Sequence, residues 1–352
     1  MTVTLQALVR PNIRRLEPYH CARENVQQGV LLDANENPFP REWSGVWVNR
    51  YPDPHQRELR AALASRLGVS PLQVAAGAGS DEVLDWIFKV FCTPGQDSVA
   101  IAEPTYGMYR VAADIFGVDI FEWRLERDFD FAAEPFLRAV PPHVKALFLC
   151  SPNNPTGNLL SRDEVLRVCR EWSGLVVVDE AYVEFAPEGS LVPLLEHHPR
   201  LVILRTLSKA FGRAGLRLGY AVAHPEITDY FLKVKAPYNL SAGVQAEGVR
   251  AVLDCSETQR QVDAILKERE RLVARLRMQP GVEEVFPSQA NFVLFRCRDP
   301  RSLVAALLGE GIVIRDRSSL VGLQGCVRVS IGLPEENDLF LSALARHFKE
   351  AS

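Results

Sequence analysis

Apolar runs of strand length recur through the middle of this chain, and each ends in a polar loop: Ser98–Ala102, Lys145–Cys150, Leu175–Asp179, Leu201–Arg205 and Leu216–Val222. Segments with apolar residues three and four apart lie around and between them: Gln56–Leu67, Ser80–Phe91, Tyr106–Phe116 and Arg162–Trp172. Gly68 and Gly95 supply helix stop signals. Strand-length apolar runs alternating with amphipathic helical segments predict an α/β fold, a mostly parallel sheet flanked by helices. With 352 residues, 47% of them hydrophobic, the chain can bury a sizeable core, one large domain plus a smaller one.

Near Ala242 the pattern changes. Two long charged amphipathic segments, Ala246–Cys255 and Glu257–Met278, precede Asn291–Arg296, Arg301–Gly311, Ile312–Arg315, Val327–Ile331 and Glu335–Lys349, a looser alternation that reads as α+β. The first forty residues, rich in Pro and Asn around LLDANENPFP, read as an extended arm. The expected organisation is an arm over 1–40 that contributes to the small domain and the substrate pocket, a large domain over 41–245, and a small C-terminal domain over 246–352. No internal repeat or low-complexity linker interrupts it.

The net charge of -4 gives no basic field for nucleic acid, and no polybasic block occurs. The N-terminus lacks the apolar core of a signal peptide and no run reaches membrane-spanning length, so a cytoplasmic protein is expected. Seven scattered cysteines without a C-x-x-C, and seven histidines without an H-E-x-x-H, point to free thiols and to no metal site.

In open α/β sheets ligands sit beyond the carboxyl ends of the strands. Here those ends are unusually polar. SPNNPTG follows Lys145–Cys150 and presents Asn153 and Asn154, although Pro, Asn and Gly also suit a plain turn. Leu175–Val178 runs into DEAYVEF, placing Asp179 where burial penalises it unless a cation or several donors meet it, with Tyr182 three residues on. Leu201–Leu204 delivers RTLSKAFGRAGLRLGY, in which Lys209 follows Ser208 among Arg205, Arg213 and Arg217. Upstream, GAGSDE puts Gly77, Ala78, Gly79 and Ser80 at a helix N-terminus, an anion site by virtue of its free amides. It is neither a dinucleotide fingerprint nor a Walker loop.

These pieces fit together if the ligand is pyridoxal phosphate. That cofactor needs a lysine to bind its aldehyde, a carboxylate for its ring nitrogen and anion donors for its phosphate. Lys209, Asp179 and the Gly79-Ser80 helix start supply them, with Asn154 and Tyr182 as donors to the ring oxygen and Tyr106 of EPTYGMY to stack on the ring. The nearby arginines lower the lysine's pKa and hold anions.

The segments SPNNPTG, DEAYVEF and TLSKAFGRAGLRLGY, together with LDANENPF, RYPDP, GAGSDE and PTYGMY, resemble in order and spacing the fold-type I, class I/II aminotransferases, most closely their histidinol-phosphate branch. The likeness runs from VRPNIRRLEPY to GCVRVSIGLPEEN. It implies Lys209 as the Schiff-base lysine, Asp179 as partner of the pyridinium, and Asn154 and Tyr182 as donors to the phenolate. It further implies phosphate contacts from Ala78, Gly79, Ser80, Ser208 and Arg217, with Tyr51 of RYPDP reaching in from a second subunit of a homodimer. Arg328 of CVRVSIG matches the arginine that binds the substrate carboxylate. Tyr19, Asn35 and Arg315 would shape the rest of the pocket, although Arg315 at a strand end fits a salt bridge as readily. The implied reaction moves the amino group of histidinol phosphate to 2-oxoglutarate, giving glutamate, in a ping-pong cycle of histidine biosynthesis. Aromatic amino-acid transamination and a phosphothreonine decarboxylase-like lyase reaction are the alternatives within the same fold.

Overall fold

The computed structural model describes residues 4–21, 23–24 and 29–350. A short hairpin, β1 (Glu42–Trp43) and β2 (Val46–Trp47), precedes the main body. The central sheet contains β3 (Val74–Gly77), β4 (Ser98–Glu103), β5 (Asp119–Arg124), β6 (Val144–Cys150), β7 (Leu175–Asp179), β8 (Leu201–Thr206) and β9 (Gly219–Ala223), in the spatial order β3-β9-β8-β7-β6-β4-β5. Strands β8, β7, β6, β4 and β5 run parallel, and β9 is antiparallel to both neighbours. The α/β expectation of a mostly parallel sheet flanked by helices is therefore met. Strand order reverses between β4 and β6, and at such a switch point the loops leaving two strands diverge and open a crevice.

The period-two alternation of a strand explains the layering. Val176 and Val178 of β7, with Leu201 and Ile203 of β8, face a core shared with helices Arg57–Leu67, Arg162–Glu171 and Ala242–Leu253. Leu175 and Val177, with Val202 and Leu204, face the opposite core beneath Ser80–Phe91, Met108–Phe116 and Pro225–Val234. Each such fully buried Val, Leu or Ile contributes about 1.5–3 kcal/mol, which is why these two strands carry no polar residue until their last positions.

Two strands of the central sheet lie outside the sequence expectation, as do β1, β2 and Val282–Val285 beyond it. β3 is a four-residue VAAG, and β5 is an edge strand whose exposed and half-buried residues dilute its apolar signal. The final strand begins at Gly219 rather than Leu216, because Ala214–Leu216 forms a 3-10 turn and Arg217 takes a left-handed conformation. At the N-terminus, helical turns Leu5–Leu8 and Pro11–Arg14 bury Leu5, Leu8, Val9 and Ile13 against the core beneath Ser80–Phe91, where the Arg10 amide donates to the Val90 carbonyl. These apolar spacings are what turns an expected extended segment into packed helix.

A second sheet contains β10 (Val282–Val285), β11 (Phe292–Cys297), β12 (Arg315–Asp316) and β13 (Cys326–Ser330), all antiparallel in the order β10-β11-β13-β12. Helices Cys255–Leu276, Pro300–Gly309 and Pro334–Glu350 supply its apolar cover. Among the described residues no helix is long and apolar enough to cross a membrane.

Candidate active site

The loops leaving β4, β6, β7 and β8 surround a cavity of about 540 Å³, closed on its far side by the second sheet. Ser80, Tyr106, Asn154, Asp179, Tyr182, Ser208, Lys209, Arg217, Arg315 and Arg328 all line it, drawn from segments up to 248 residues apart.

Asp179 is the last residue of β7 and is buried. Its Oδ2 accepts a hydrogen bond from the Tyr109 hydroxyl at 2.8 Å and its Oδ1 one from the Ala181 amide at 3.0 Å. Burial pushes its carboxyl up to about 6, against the pull of those two donors. No cationic side chain among the described residues comes within ion-pairing distance of it. Lys209 enters from the adjacent strand, β8, three residues past its end, in a loop where the Leu207 amide donates to the Leu218 carbonyl and the Thr206 and Ser208 hydroxyls lie 2.9 Å apart. Its ammonium sits 5.5 Å from the Tyr182 ring centroid. Partial burial and the Arg328 charge lower its pKa, Asp179 and Asp81 oppose them, and Arg217 adds to the lowering.

Asn154 donates from Nδ2 to the Tyr182 hydroxyl at 3.3 Å and accepts from Arg328 Nη1. Its neighbour Asn153 has a different task. Asn153 binds Thr105, the Pro104 carbonyl and Thr156, so it locks the two loops together and leaves Asn154 alone to face the cavity. Tyr182 packs edge-on against Phe292 of β11, with centroids 5.2 Å apart, and burial raises its pKa. Tyr106 donates to Asp81 at 3.3 Å and stands edge-on to Tyr109.

At the anion end, Gly79 has φ 83°, a conformation that favours glycine, and a Cβ there would lie 2.6 Å from Arg217 Nη2. Gly219 lets β9 approach the helix start so closely that a Cβ would stand 2.1 Å from the Ser80 amide nitrogen. Arg217 reaches Asp81 at 3.3 Å across this gap. Within the loop the Ala78 amide donates to the Glu82 carboxylate and the Gly79 amide to the Gly77 carbonyl, leaving Ser80 and Asp81 as the loop residues that line the cavity.

Some expected groups lie elsewhere. Arg205 is buried between Glu180 and Glu184, and Arg213 pairs with Glu247, so of the three arginines beside Lys209 only Arg217 faces the cavity. The lowering at Lys209 comes from burial and Arg328 first, Arg328 being a residue of the second sheet. Tyr51 stacks on Tyr238 at 4.4 Å, is half exposed, and lines a separate hollow with Asn35 and Trp43. Tyr19 is 76% exposed and touches neither. Three contributors escaped sequence reading: Thr105, Tyr109 and Arg317. Tyr109 stands three residues after Tyr106, one helical turn on, and that spacing was its available signal.

The donor set fits pyridoxal phosphate. A buried carboxylate without a cation at the cavity floor, an amine with lowered pKa beside it, an amide–phenol pair, and a helix N-terminus flanked by Ser208 and Arg217 match its ring nitrogen, aldehyde, ring oxygen and phosphate.

The family model described as Aminotransferase class I and II matches residues 26–344. The histidinol-phosphate aminotransferase of Cytophaga hutchinsonii is 43% identical over 346 residues, covering 98% of this chain and 99% of that protein. Among solved structures, the histidinol-phosphate aminotransferase from Clostridium acetobutylicum superposes with a TM-score of 0.80 at 26% identity, over 86% of this chain and 92% of that one. The enzyme of that name from Sinorhizobium meliloti, in complex with pyridoxal-5'-phosphate, gives 0.79 at 28% identity, over 87% and 84%.

Proposed function

The chain belongs to the class I and II aminotransferases, and from that premise we propose that it moves the amino group of L-histidinol phosphate to 2-oxoglutarate, giving imidazole acetol phosphate and glutamate, with pyridoxal phosphate as cofactor. The observation that carries the reading is the pairing of ends in one cavity: Asp179 at the end of one parallel strand and Lys209 just past the end of its neighbour at one side, and at the other Arg315 and Arg328, which among the described residues have no carboxylate partner.

Lys209 would hold the cofactor's aldehyde and Asp179 its ring nitrogen. Asn154 and Tyr182 would donate to its ring oxygen. Ser80, Ser208 and Arg217 would hold its phosphate at the helix start that Ala78 and Gly79 lead into, the amides of those two being already given to Glu82 and Gly77, and Tyr106 would cover its ring. When bound, the cofactor supplies an electron-withdrawing ring that stabilises negative charge at the substrate's Cα. Asp179 keeps that pull strong, because a carboxylate at the cavity floor favours a protonated ring nitrogen. Lys209 Nζ, with its pKa lowered, is the base that takes and returns the Cα proton. Arg328 orients the substrate anion from the second sheet and is itself aimed by Asn154 and by the Phe292 ring, 5.2 Å away. The same anion site serves donor and acceptor in turn, which requires a ping-pong order.

Tyr51 lies outside its own cavity, in a segment where Leu32, Phe39, Trp43 and Trp47 are also exposed. We assign it to the cofactor phosphate of a second copy of the chain, in a homodimer with shared sites, and assign Tyr19 and Asn35, from the same arm, to the substrate end.

The test is the visible spectrum of the protein loaded with pyridoxal phosphate, before and after histidinol phosphate is added without a keto acid. The lysine-bound cofactor band should give way to that of the aminated cofactor and return on addition of 2-oxoglutarate. A band that ignores histidinol phosphate but responds to Phe or Tyr would refute the substrate assignment.

A further inference from the structure

Strands β12 and β13 pair Arg315 opposite Arg328, and the register continues through the Arg317 amide, which donates to the Cys326 carbonyl at 2.9 Å. Side chains alternate along a strand, so Arg315 and Arg317 share a face with Arg328, while Asp316 between them turns the other way and accepts from the Ser318 amide at 2.7 Å. The intervening carboxylate therefore forms no ion pair with the three guanidinium groups, although its charge still reaches Arg317. All three arginines line the cavity, and among the described residues none has an ion-pair partner. Arg317 Nε and Arg328 Nε are buried without hydrogen-bond partners. Burial first, then the Arg328 and Arg315 charges, lower the Arg317 pKa, and Tyr182 and Asp316 oppose them without reversing the direction.

Three unpaired guanidinium groups exceed what a dicarboxylate needs. Each carboxylate carries one charge and satisfies one guanidinium bidentately, so Arg315 and Arg328 suffice for glutamate. A phosphate monoester concentrates nearly two charges and three acceptor oxygens at one point, and a third guanidinium gains a partner there that no single carboxylate offers. We propose that Arg317 is the specificity-determining residue that makes this end of the cavity prefer a phosphate monoester dianion to a carboxylate. The inference rests on the amino-transfer reading above and adds to it the residue that selects the phosphorylated substrate.

The experiment compares single-turnover half-reactions of the cofactor-loaded enzyme with histidinol phosphate and with glutamate, for wild type, R317Q and R317K. R317Q should lower the second-order rate constant for histidinol phosphate roughly ten- to hundredfold more than that for glutamate, the loss of one charge-assisted contact. R317K, which keeps the charge but not the fork, should recover part of the difference. The wild-type advantage should widen as pH rises through the second ionisation of the monoester, near about 6. Equal losses on both substrates, or a ratio independent of pH, would reduce Arg317 to a packing role and overturn the proposal. Inorganic phosphate as a competitor of glutamate separates the two readings. If wild type ignores histidinol phosphate, the substrate assignment fails, yet weaker phosphate inhibition in R317Q would still support phosphate selection by Arg317. Identical inhibition of both proteins would overturn it.

Discussion

Replacing Arg205 by Met removes the cation that pairs with both Glu180 and Glu184 in a buried cluster that ties the end of β8 to the loop after β7, and leaves Glu184 only the weaker influence of Arg66. Arg205 Nη2 lies 2.7 Å from Glu180 Oε2 and Nη1 lies 3.0 Å from Glu184 Oε1. The Glu180 side chain is 0% exposed and also accepts from the Leu191 amide at 2.6 Å and the Ser190 hydroxyl at 3.1 Å. Removing the guanidinium leaves two carboxylates facing each other in a dry interior, a change that costs about 3–5 kcal/mol. At about 2.1 cal/mol/K per residue, a chain of 352 residues has an unfolding entropy near 0.74 kcal/mol/K, so the midpoint should fall by roughly 4–7 °C.

The pH dependence follows from linkage. Burial already raises both glutamates above their ordinary value, and Arg205 counteracts it. A carboxyl raised in the folded state favours folding below its unfolded pKa, and that contribution is lost as pH rises through the folded pKa. Without Arg205 the raised window extends to higher pH, so the deficit between variant and wild type should be larger at pH 8 than at pH 5.5. Calorimetry of the cofactor-loaded proteins at the two pH values measures this. The triple variant R205M/E180Q/E184Q, close in shape but uncharged, should recover most of the loss. A single variant within about 1 °C of wild type, or a triple variant as damaged as the single, would refute the electrostatic account.

Three further outcomes can be checked directly. Gly219→Ala would set a Cβ against the Ser80 amide, a backbone atom that cannot step aside; overpacking of about 1–3 kcal/mol at the helix start should weaken pyridoxal phosphate binding by about tenfold in an absorbance titration, and unchanged affinity would disprove the close approach. Tyr109→Phe removes a donor to ionised Asp179, so a carboxyl already pushed up to about 6 by burial should rise further; the acid limb of kcat/KM should move to higher pH by about one unit, and an unmoved limb would detach Tyr109 from the chemistry. Mixing K209A with Y51A subunits should restore about a quarter of wild-type sites if Tyr51 acts across a two-fold interface, whereas no recovery after subunit exchange would place Tyr51 outside the site.

The residues at the strand mouths were legible in the sequence because their meaning is local. Leu175–Asp179 is apolar until its last position, so Asp179 had to stand at the carboxyl mouth of its strand, and the same reasoning placed Lys209 beyond Leu201–Arg205. The short β3 and the edge strand β5 were not legible, since four small residues carry little periodicity and an edge strand need not bury both faces. Sequence adjacency also misassigned charge. Arg205 and Arg213 sit beside Lys209 in the chain, yet each turns to a glutamate elsewhere because a buried or half-buried guanidinium goes where a carboxylate meets it. Asn153 and Asn154 look equivalent in SPNNPTG, and only the Thr105 loop shows that one is a fastener and the other faces the cavity.

Which groups end each strand follows from local sequence, because apolar patterning fixes where a strand must stop and hydration forbids an unpartnered charge before that point. Long-range packing is what brings Arg315, Arg317 and Arg328 to the cavity that Lys209 and Asp179 enter from the other side, and what keeps Tyr51 of the same chain out of it. Those placements depend on how two sheets pack across a crevice. The free energy of that packing comes from side chains far apart in the chain, so no local window of sequence contains it.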